Sequence, residues 1–499
     1  MYLRNLTLLL FLFTVFFIGC NDNDDSLIPP DKEEEKKEEE GKDKEEDKNK
    51  EEEEEEEEEG LVEEAWFLKK TNGETEKFFP IGAWRIPGYE ANDPNAVSVY
   101  NRQSRNINIS FHYIGQQRKD IIYMSIRPSY ILMDFLSRQP DIKNKGNEKG
   151  YYESQYLKNI ESDNILKNKL SNELANHMYN EYPNVERAYL PIDEVSMGLA
   201  SNYWYTPPIV GDWIYKKIIE LEKQKDPNAN PIVFADLAGH GKGSTYFFEK
   251  RYLKDHSSMP DSPPYEMINE SAQEYANHAL NNNGLPLLGF LEGFNGVPAY
   301  KFSPTSYSYT SYSLEQLKSY HYENIKAYAE AYKGNGNAFG INAFRDFAAN
   351  PILAGLTVDA IRAGLGDPEV PIWLFFDGNG YARGNVPVDN YIKQIKCQMY
   401  TSITHGATGV FFWNNPSGQE VWDALQPTLE EMKGNLDIIR LKTLEKRDDN
   451  DMHLMIKKDN KGQKYIIATN TSKTSTVPLK VDNLEKNSLA PLEVYIAPF

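Results

Sequence analysis

The chain has 499 residues and a formal net charge of −21 at pH 7, and 12% of its residues are aromatic. That charge excludes the basic footprint of a nucleic-acid binder, and the length suits one large domain with a smaller one. Two cysteines and eight histidines argue against a disulfide framework and against a structural zinc site, so no metal or cofactor is expected.

Arg4 opens the N-terminal stretch, which is apolar from Leu8 to Ile18 and ends in Phe17-Ile18-Gly19-Cys20. A charged start, a short apolar core and a small residue before the cut describe a secretory signal. The core is shorter than the ~20 apolar residues that span a bilayer. With Gly19 before it, Cys20 resembles the lipobox of bacterial lipoproteins. The resemblance implies a mature chain that begins at a lipidated Cys20 and is tethered to a membrane rather than threaded through it. Residues 21–60 hold 23 acidic side chains against seven Lys, with nine consecutive Glu near the end. Such a segment buries no apolar surface, repels itself and extends, so a disordered linker is expected. Acidic residues just after Cys20 also resemble the surface-export signal of Bacteroidetes lipoproteins, which implies an outer-membrane anchor with the body at the cell surface. The remaining body, 61–499, carries a net charge of only −6.

Within the body, short runs rich in Val, Ile, Phe and Tyr are bounded by Gly, Pro or Asn. They predict eight strands: Phe78 to Ile86, Ile107 to Ile114, Ile121 to Ile126, Ala188 to Ile192, Ile232 to Leu237, Leu287 to Leu291, Ile372 to Phe376, and Gly409 to Trp413. Helical periodicity lies between most of them, at Asn164 to Tyr182, Val210 to Gln224, Ser271 to Asn281, Leu314 to Tyr332, Ile352 to Ala363 and Asn390 to His405. Near-continuous apolar strands separated by helices read as parallel βα units. Eight of them predict an α/β fold, a (β/α)8 TIM barrel over 61–446. An open doubly wound sheet is the other reading, weakened by the lack of G-x-G-x-x-G after the first strand. Two long stretches, Arg138 to Asp163 and Asn295 to Ser313, are expected among the loops at the catalytic face. Cys397 falls in a predicted helix and reads as a small core residue.

Past residue 446 the pattern changes. His453 to Ile456 and Tyr465 to Ala468 flank Asp459-Asn460-Lys461-Gly462, a hairpin signal, and Val477 to Val481 and Val494 to Ala497 add strands. Residues 447–499 therefore predict a small C-terminal antiparallel domain, β-sandwich-like, packed on the barrel.

Reactive groups of a barrel project from the C-terminal ends of its strands. The expected fourth strand ends in Asp193-Glu194, the fifth in Asp236, the sixth in Glu292 and the seventh in Asp377. Trp84, Tyr113, Trp204 and Trp413 lie close to such ends, with Asn414 directly after the eighth and Arg127 after the third. Carboxylates framed by aromatic faces suit sugar hydrolysis. One acid protonates the leaving oxygen, and the other attacks or stabilises the oxocarbenium-like centre. Aromatic rings stack on a pyranose while amides and carboxylates take its hydroxyls.

Asp193-Glu194, Asp377, the segment Gly406 to Trp413 and the closing Leu489 to Tyr495 resemble barrel glycoside hydrolases, including bacterial surface lipoproteins of that kind. In the large retaining clan of such barrels the acid/base follows strand four and the nucleophile follows strand seven. The resemblance therefore implies Glu194 as general acid, and Asp377, or failing it Glu292, as nucleophile or base. From their places near strand ends, Trp84, Tyr113, Arg127, Asp193, Trp204, Asp236, Trp413 and Asn414 are the expected substrate-binding residues, with a carbohydrate as partner. The clan usually carries Asn where Asp193 stands and Glu where Asp377 stands, which leaves retention or inversion open. A glycan-binding lipoprotein on a degenerate barrel is the second reading. Gly239 to Thr245 departs from the P-loop spacing, and no G-x-S-x-G elbow is present.

Overall fold

The computed structural model describes residues 64–71, 74–87, 95–111, 120–137, 158–174, 187–192, 208–237, 301–303, 306–308, 322, 325–326, 329–330, 332–342, 347–348, 350–414 and 418–499. They belong to one compact unit, residues 59–499.

Eight parallel strands close into a barrel: β3 (Ile81–Ala83), β4 (Ile109–Ser110), β5 (Ile122–Ser125), β6 (Arg187–Ile192), β7 (Ile232–Asp236), β10 (Ala338–Asn342), β11 (Ile372–Asp377) and β12 (Gly409–Trp413). They pair in chain order, and β12 closes on β3 with Phe411 opposite Gly82. The chain is a TIM barrel with an antiparallel C-terminal sheet. Six of the expected strands coincide with barrel strands to within a few residues at their ends. The first expected strand is split: Phe78 ends a hairpin formed by β1 (Phe67–Thr71) and β2 (Glu74–Phe78), and Pro80 separates it from β3. A separate antiparallel pair, β8 (Lys301–Ser303) and β9 (Ser306–Ser308), falls between β7 and β10 in the chain.

The sixth expected strand is a correction. Barrel position six is filled by β10, which pairs with β7 through Gly340 opposite Asp236 and with β11 through Asn342 opposite Phe375. Leu287 to Leu291 lies outside the described residues. Gly340 explains why the ring closes here. A β-carbon on it would stand 1.9 Å from the Trp373 carbonyl oxygen and 2.5 Å from the Phe234 ring. A glycine inside a strand marks such a close approach.

The twofold alternation of strand side chains sorts the core into an inner and an outer set. Phe234, Trp373, Phe375 and Phe411 point inward and pack on one another, with Phe234 stacked on Trp373 at 5.5 Å. Val233, Leu374, Phe376, Val410 and Phe412 point outward to the helices. Those helices include α1 (Ala96–Gln103), α2 (Arg127–Ser137), α3 (Asn164–Asn172), α4 (Pro208–Lys225), α5 (Ile352–Leu365), α6 (Val388–Thr404) and α7 (Gln419–Gly434). Helix α5 begins after Pro351 and ends at Gly366, whose φ of 64° closes the helix in the left-handed conformation.

At the bottom of the barrel two asparagines extend the strand ladders. Asn108 gives Nδ2 to the Phe79 carbonyl at 2.8 Å and takes the Ile81 amide at 2.8 Å. Asn337 does the same between Pro231 and Val233, at 2.9 and 2.7 Å. A buried ion pair fixes β6 to α4. Both oxygens of Glu222 stand 2.8 Å from Arg187 Nε, and the Tyr189 hydroxyl donates to the same carboxylate.

The C-terminal sheet runs β13 (Lys442–Asp449), β14 (Met452–Lys458), β15 (Lys464–Asn470) and β18 (Val494–Pro498), all antiparallel, with a separate pair β16 (Val477–Pro478) and β17 (Ser488–Leu489). Strand β13 starts ahead of residue 447 and spans the expected change of character. Leu454, Ile456, Ile466 and Ala468 face Leu479 and Leu489 in a small second core. The other face lies on α6, where Thr401 and Thr469 share a hydrogen bond of 3.0 Å. Cys397 is buried there, its thiol given to the Asn470 carbonyl at 3.3 Å and pushed up by burial to about 12. No helix among the described residues is long and apolar enough to cross a membrane.

Candidate functional site

Inward-pointing residues of barrel strands lie two apart, so the residue past the last inner aromatic reaches the C-terminal rim. On this phase Phe234 leads to Asp236, Gly340 to Asn342, Phe375 to Asp377, Phe411 to Trp413, and Gly82 to Trp84. Two of the expected carboxylates, two of the expected tryptophans and Asn342 thus share one end of the barrel. The three polar residues are buried, Asp236 and Asp377 to 1% exposure, while Trp84 and Trp413 are half-buried. Trp84 packs on Phe111 at 4.9 Å, and Trp413 stands edge-on to Tyr381 at 5.8 Å. Tyr381 is 54% exposed, so its ring extends the aromatic surface outward.

Asp377 sits in a ring of donors. Its Oδ1 takes the Asn379 amide at 3.0 Å, and its Oδ2 takes the Ala382 amide at 2.7 Å and the Tyr391 hydroxyl at 2.6 Å. The carboxylate thereby folds the turn of residues 378–382 over the end of β11 and ties it to α6. Burial raises its pKa above the ordinary carboxylate value even against these donors. Burial and the neighbouring Asp377 charge together push the Tyr391 phenol far up, so it acts only as a donor.

Asn414 gives Nδ2 to the Arg85 carbonyl at 3.1 Å, which joins the rims of β12 and β3. Its amide lies against Gly378, where a β-carbon would stand 1.8 Å from Asn414 Oδ1. Asn379 Oδ1 is likewise wedged against Gly418. Among the described residues neither oxygen has a hydrogen-bond partner.

Arg127 follows the third barrel strand, as expected from the sequence. It is the first residue of α2, two residues past β5, and its exposed side chain pairs with Glu173 at 3.4 Å. Glu194 and Asp193 follow directly on β6, the fourth barrel strand, and lie outside the described residues, as do Tyr113, Trp204, Glu292 and Cys20. Glu292 was expected at the end of the sixth strand, a position that β10 fills. Three rim residues were not read from the sequence. Asn342 went with the misplaced sixth strand. Tyr381 had a visible signal, an aromatic in a glycine-rich turn four residues after Asp377. Tyr391 had none, since only the packing of α6 on β11 brings it to Asp377.

No family model matches the chain, and no curated protein matches it. Among solved structures it is similar to the ligand-free form of a cyclic alpha-maltosyl-(1→6)-maltose hydrolase from Arthrobacter globiformis. That similarity has 10% identity and a TM-score of 0.22, and covers 57% of this chain and 78% of that one. It is also similar to a glucosidase from Croceicoccus marinus, with 8% identity and a TM-score of 0.27, over 82% of this chain and 80% of that one.

Proposed function

We propose that this protein is a glycoside hydrolase tethered by Cys20 to the outer membrane and exposed at the cell surface. The observation that carries the reading is the composition of the barrel rim. Asp377 ends strand seven and Asp236 strand five, Asp193-Glu194 directly follow strand four, and Trp84 and Trp413 stand between them in the ring. A TIM barrel does its chemistry at this end.

In the proposed reaction Glu194 protonates the glycosidic oxygen as the C–O bond breaks. Positive charge develops at the sugar carbon, and Asp377 faces it as the second carboxylate. Water supplies the hydroxyl that completes hydrolysis, and its proton returns to the protein carboxylates. Trp84 and Trp413 offer ring faces to the sugar, while Asp193, Asp236 and Asn414 take hydroxyls. The test is product release from a broad glycan panel by the purified protein beside its Glu194→Gln variant. Release by the parent alone supports the reading. Equal release by both removes Glu194 from the mechanism.

A second reading has its own support. The Asp377 oxygens are occupied by donors from its own turn and from Tyr391, which suits an anchor more than a nucleophile. A barrel whose strand-seven carboxylate serves only as an anchor would bind glycans without cleaving them. Saturable glycan binding with no product, unchanged in Glu194→Gln, would select it.

A further inference from the structure

At the C-terminal end of α6, a helix cap, a helix and two strands bring ionisable side chains together. His405 follows the last residue of α6, Asp359 lies in α5, Asp448 in β13 and His453 in β14. His405 Nε2 stands 3.0 Å from His453 Nδ1 and 3.2 Å from Asp448 Oδ1, and His453 Nδ1 stands 3.0 Å from the same Asp448 oxygen. His405 Nδ1 meets Asp359 Oδ2 at 2.7 Å, and His453 Nε2 meets Thr471 Oγ1 at 3.4 Å. Both imidazoles are almost wholly buried, whereas Asp448 is 53% exposed and opens the cluster to solvent.

With Asp448 ionised, no placement of protons satisfies all three edges of this triangle. Each ring nitrogen is either a donor or an acceptor. If His405 Nε2 donates to both partners, then His453 Nδ1 and Asp448 Oδ1 oppose lone pairs across 3.0 Å. If both nitrogens donate to Asp448, two N–H groups face each other across 3.0 Å. A cation that takes all three lone pairs removes the conflict. The edges fit one: a centre ~2.05 Å from each atom lies about 1 Å above their plane, with angles of roughly 94–103°. Those angles fall between octahedral and tetrahedral. Both imidazoles also have a partner at the far nitrogen. A carboxylate on the outer nitrogen of a ligating histidine fixes its tautomer, which is the place Asp359 holds behind His405.

We propose that His405, His453 and Asp448 form a binding site for a first-row divalent cation, zinc being the best match to two imidazoles and one carboxylate, with Asp359 as the positioning residue behind His405. The site clips β13 and β14 to the ends of the barrel helices, so the cation joins the C-terminal sheet to the barrel. This runs against the expectation from cysteine and histidine counts, because the ligands are gathered from segments about 50 residues apart with no short spacing motif. It rests on this cluster alone and not on the glycosidase reading.

The test uses the full chain, stripped with a chelator and titrated with zinc alone by calorimetry, and with cobalt(II) alone by visible absorption. The expected result is one zinc per chain at this cluster, a cobalt spectrum of low coordination number displaced by zinc, and a rise in melting temperature on zinc addition. Asp448→Asn alters an exposed side chain and is expected to weaken zinc at least tenfold and abolish the thermal shift, with its chelated melting temperature near that of the parent. Asp359→Asn is expected to weaken zinc by about 10–100-fold while keeping the cobalt spectrum. No saturable zinc binding would overturn the proposal and leave a cluster held by protons. So would stoichiometric binding unaltered in both Asp448→Asn and His453→Gln, since the zinc would then sit elsewhere.

Discussion

The Tyr391 hydroxyl donates to Asp377 Oδ2 over 2.6 Å and thereby joins helix α6 to the end of barrel strand seven. Removing it leaves a buried carboxylate short of a donor, a loss of ~1–3 kcal/mol. Tyr391→Phe is therefore expected to lower stability by that amount in urea denaturation and to loosen the turn of residues 378–382. The pH dependence has a definite sign. Burial raises the folded pKa of Asp377 above its ordinary value of 3.8. A raised acid pKa means the native state holds the proton more tightly. Its stabilising contribution is complete below 3.8 and is lost as pH rises through the raised value. Asp377→Asn should lack that step, so the difference in stability between the two proteins should change across this window and nowhere above it. An unchanging difference would show that Asp377 titrates alike in both states.

Glu222 and Glu194 predict opposite signatures. Glu222 holds Arg187 and Tyr189 at the start of β6, fully buried. Glu222→Gln strands Arg187 and is expected to cost about 3–5 kcal/mol. Since β6 leads into Asp193-Glu194, activity should fall together with the melting temperature. Glu194→Gln should abolish turnover with a melting transition shifted by no more than about 1 kcal/mol. Loss of stability in Glu194→Gln comparable with that in Glu222→Gln would mean that Glu194 is structural.

These contrasts show which parts of the molecule were legible in its sequence. Strand eight, Gly409 to Trp413, coincides with the expected residues, because a Val-Phe-Phe-Trp run bounded by Gly reads only one way. The ring of eight and the rim positions of Asp236 and Asp377 follow from the same period of two. Strand six did not announce itself. Ala338 to Asn342 offers only Phe339 and Ile341 as large apolar residues and ends in Asn, so the more apolar run at Leu287 to Leu291 was read as the strand, although it too carries a central glycine and lacks a β-branched residue. What places β10 in the barrel is the close approach of Gly340 to Trp373, a tertiary fact. The role of Asp377 was half legible: the Asp-Gly-Asn-Gly turn showed its own hydrogen bonds, but Tyr391, fourteen residues on, did not. The histidine cluster was invisible, since its members meet only after the C-terminal sheet docks on α6.

A second buried pair governs behaviour in acid. Glu64 lies 3.1 Å from Lys457 Nζ and 3.5 Å from Lys446, and it accepts from the Thr443 hydroxyl. Burial works against its charge, but Lys457, Lys446 and Thr443 outweigh burial and hold its pKa below the ordinary 4.5. Burial pulls Lys457 down to about 8, so it stays charged throughout the acid range. A lowered carboxylate pKa contributes stability that is present above 4.5 and lost as pH falls through the lowered value. Glu64→Gln should cost about 3–5 kcal/mol near neutrality by leaving Lys457 unpaired. That gap should close in acid, where the parent's Glu64 is protonated as well. Denaturant midpoints of both proteins from pH 7 down to 2 measure it, and a gap independent of pH would remove the ion pair as its cause.

Gly340→Ala tests the corrected strand order most directly. An added methyl meets the Trp373 carbonyl oxygen at 1.9 Å and the Phe234 ring at 2.5 Å. The first contact is backbone and cannot rotate away, so β10 must move off β11. Overpacking ordinarily costs ~1–3 kcal/mol, and a clash with backbone belongs at or beyond the top of that range. The same change at Gly366, where nothing stands within 4 Å of the new carbon, costs only the strain of a left-handed φ of 64°, about 1–2 kcal/mol. Gly340→Ala should therefore melt well below Gly366→Ala. Trp373 stacks on Phe234 inside the barrel, so the near-UV circular dichroism of the native Gly340→Ala protein should differ from the parent's. Equal stability of the two variants would mean that residues 338–342 do not stand between β7 and β11.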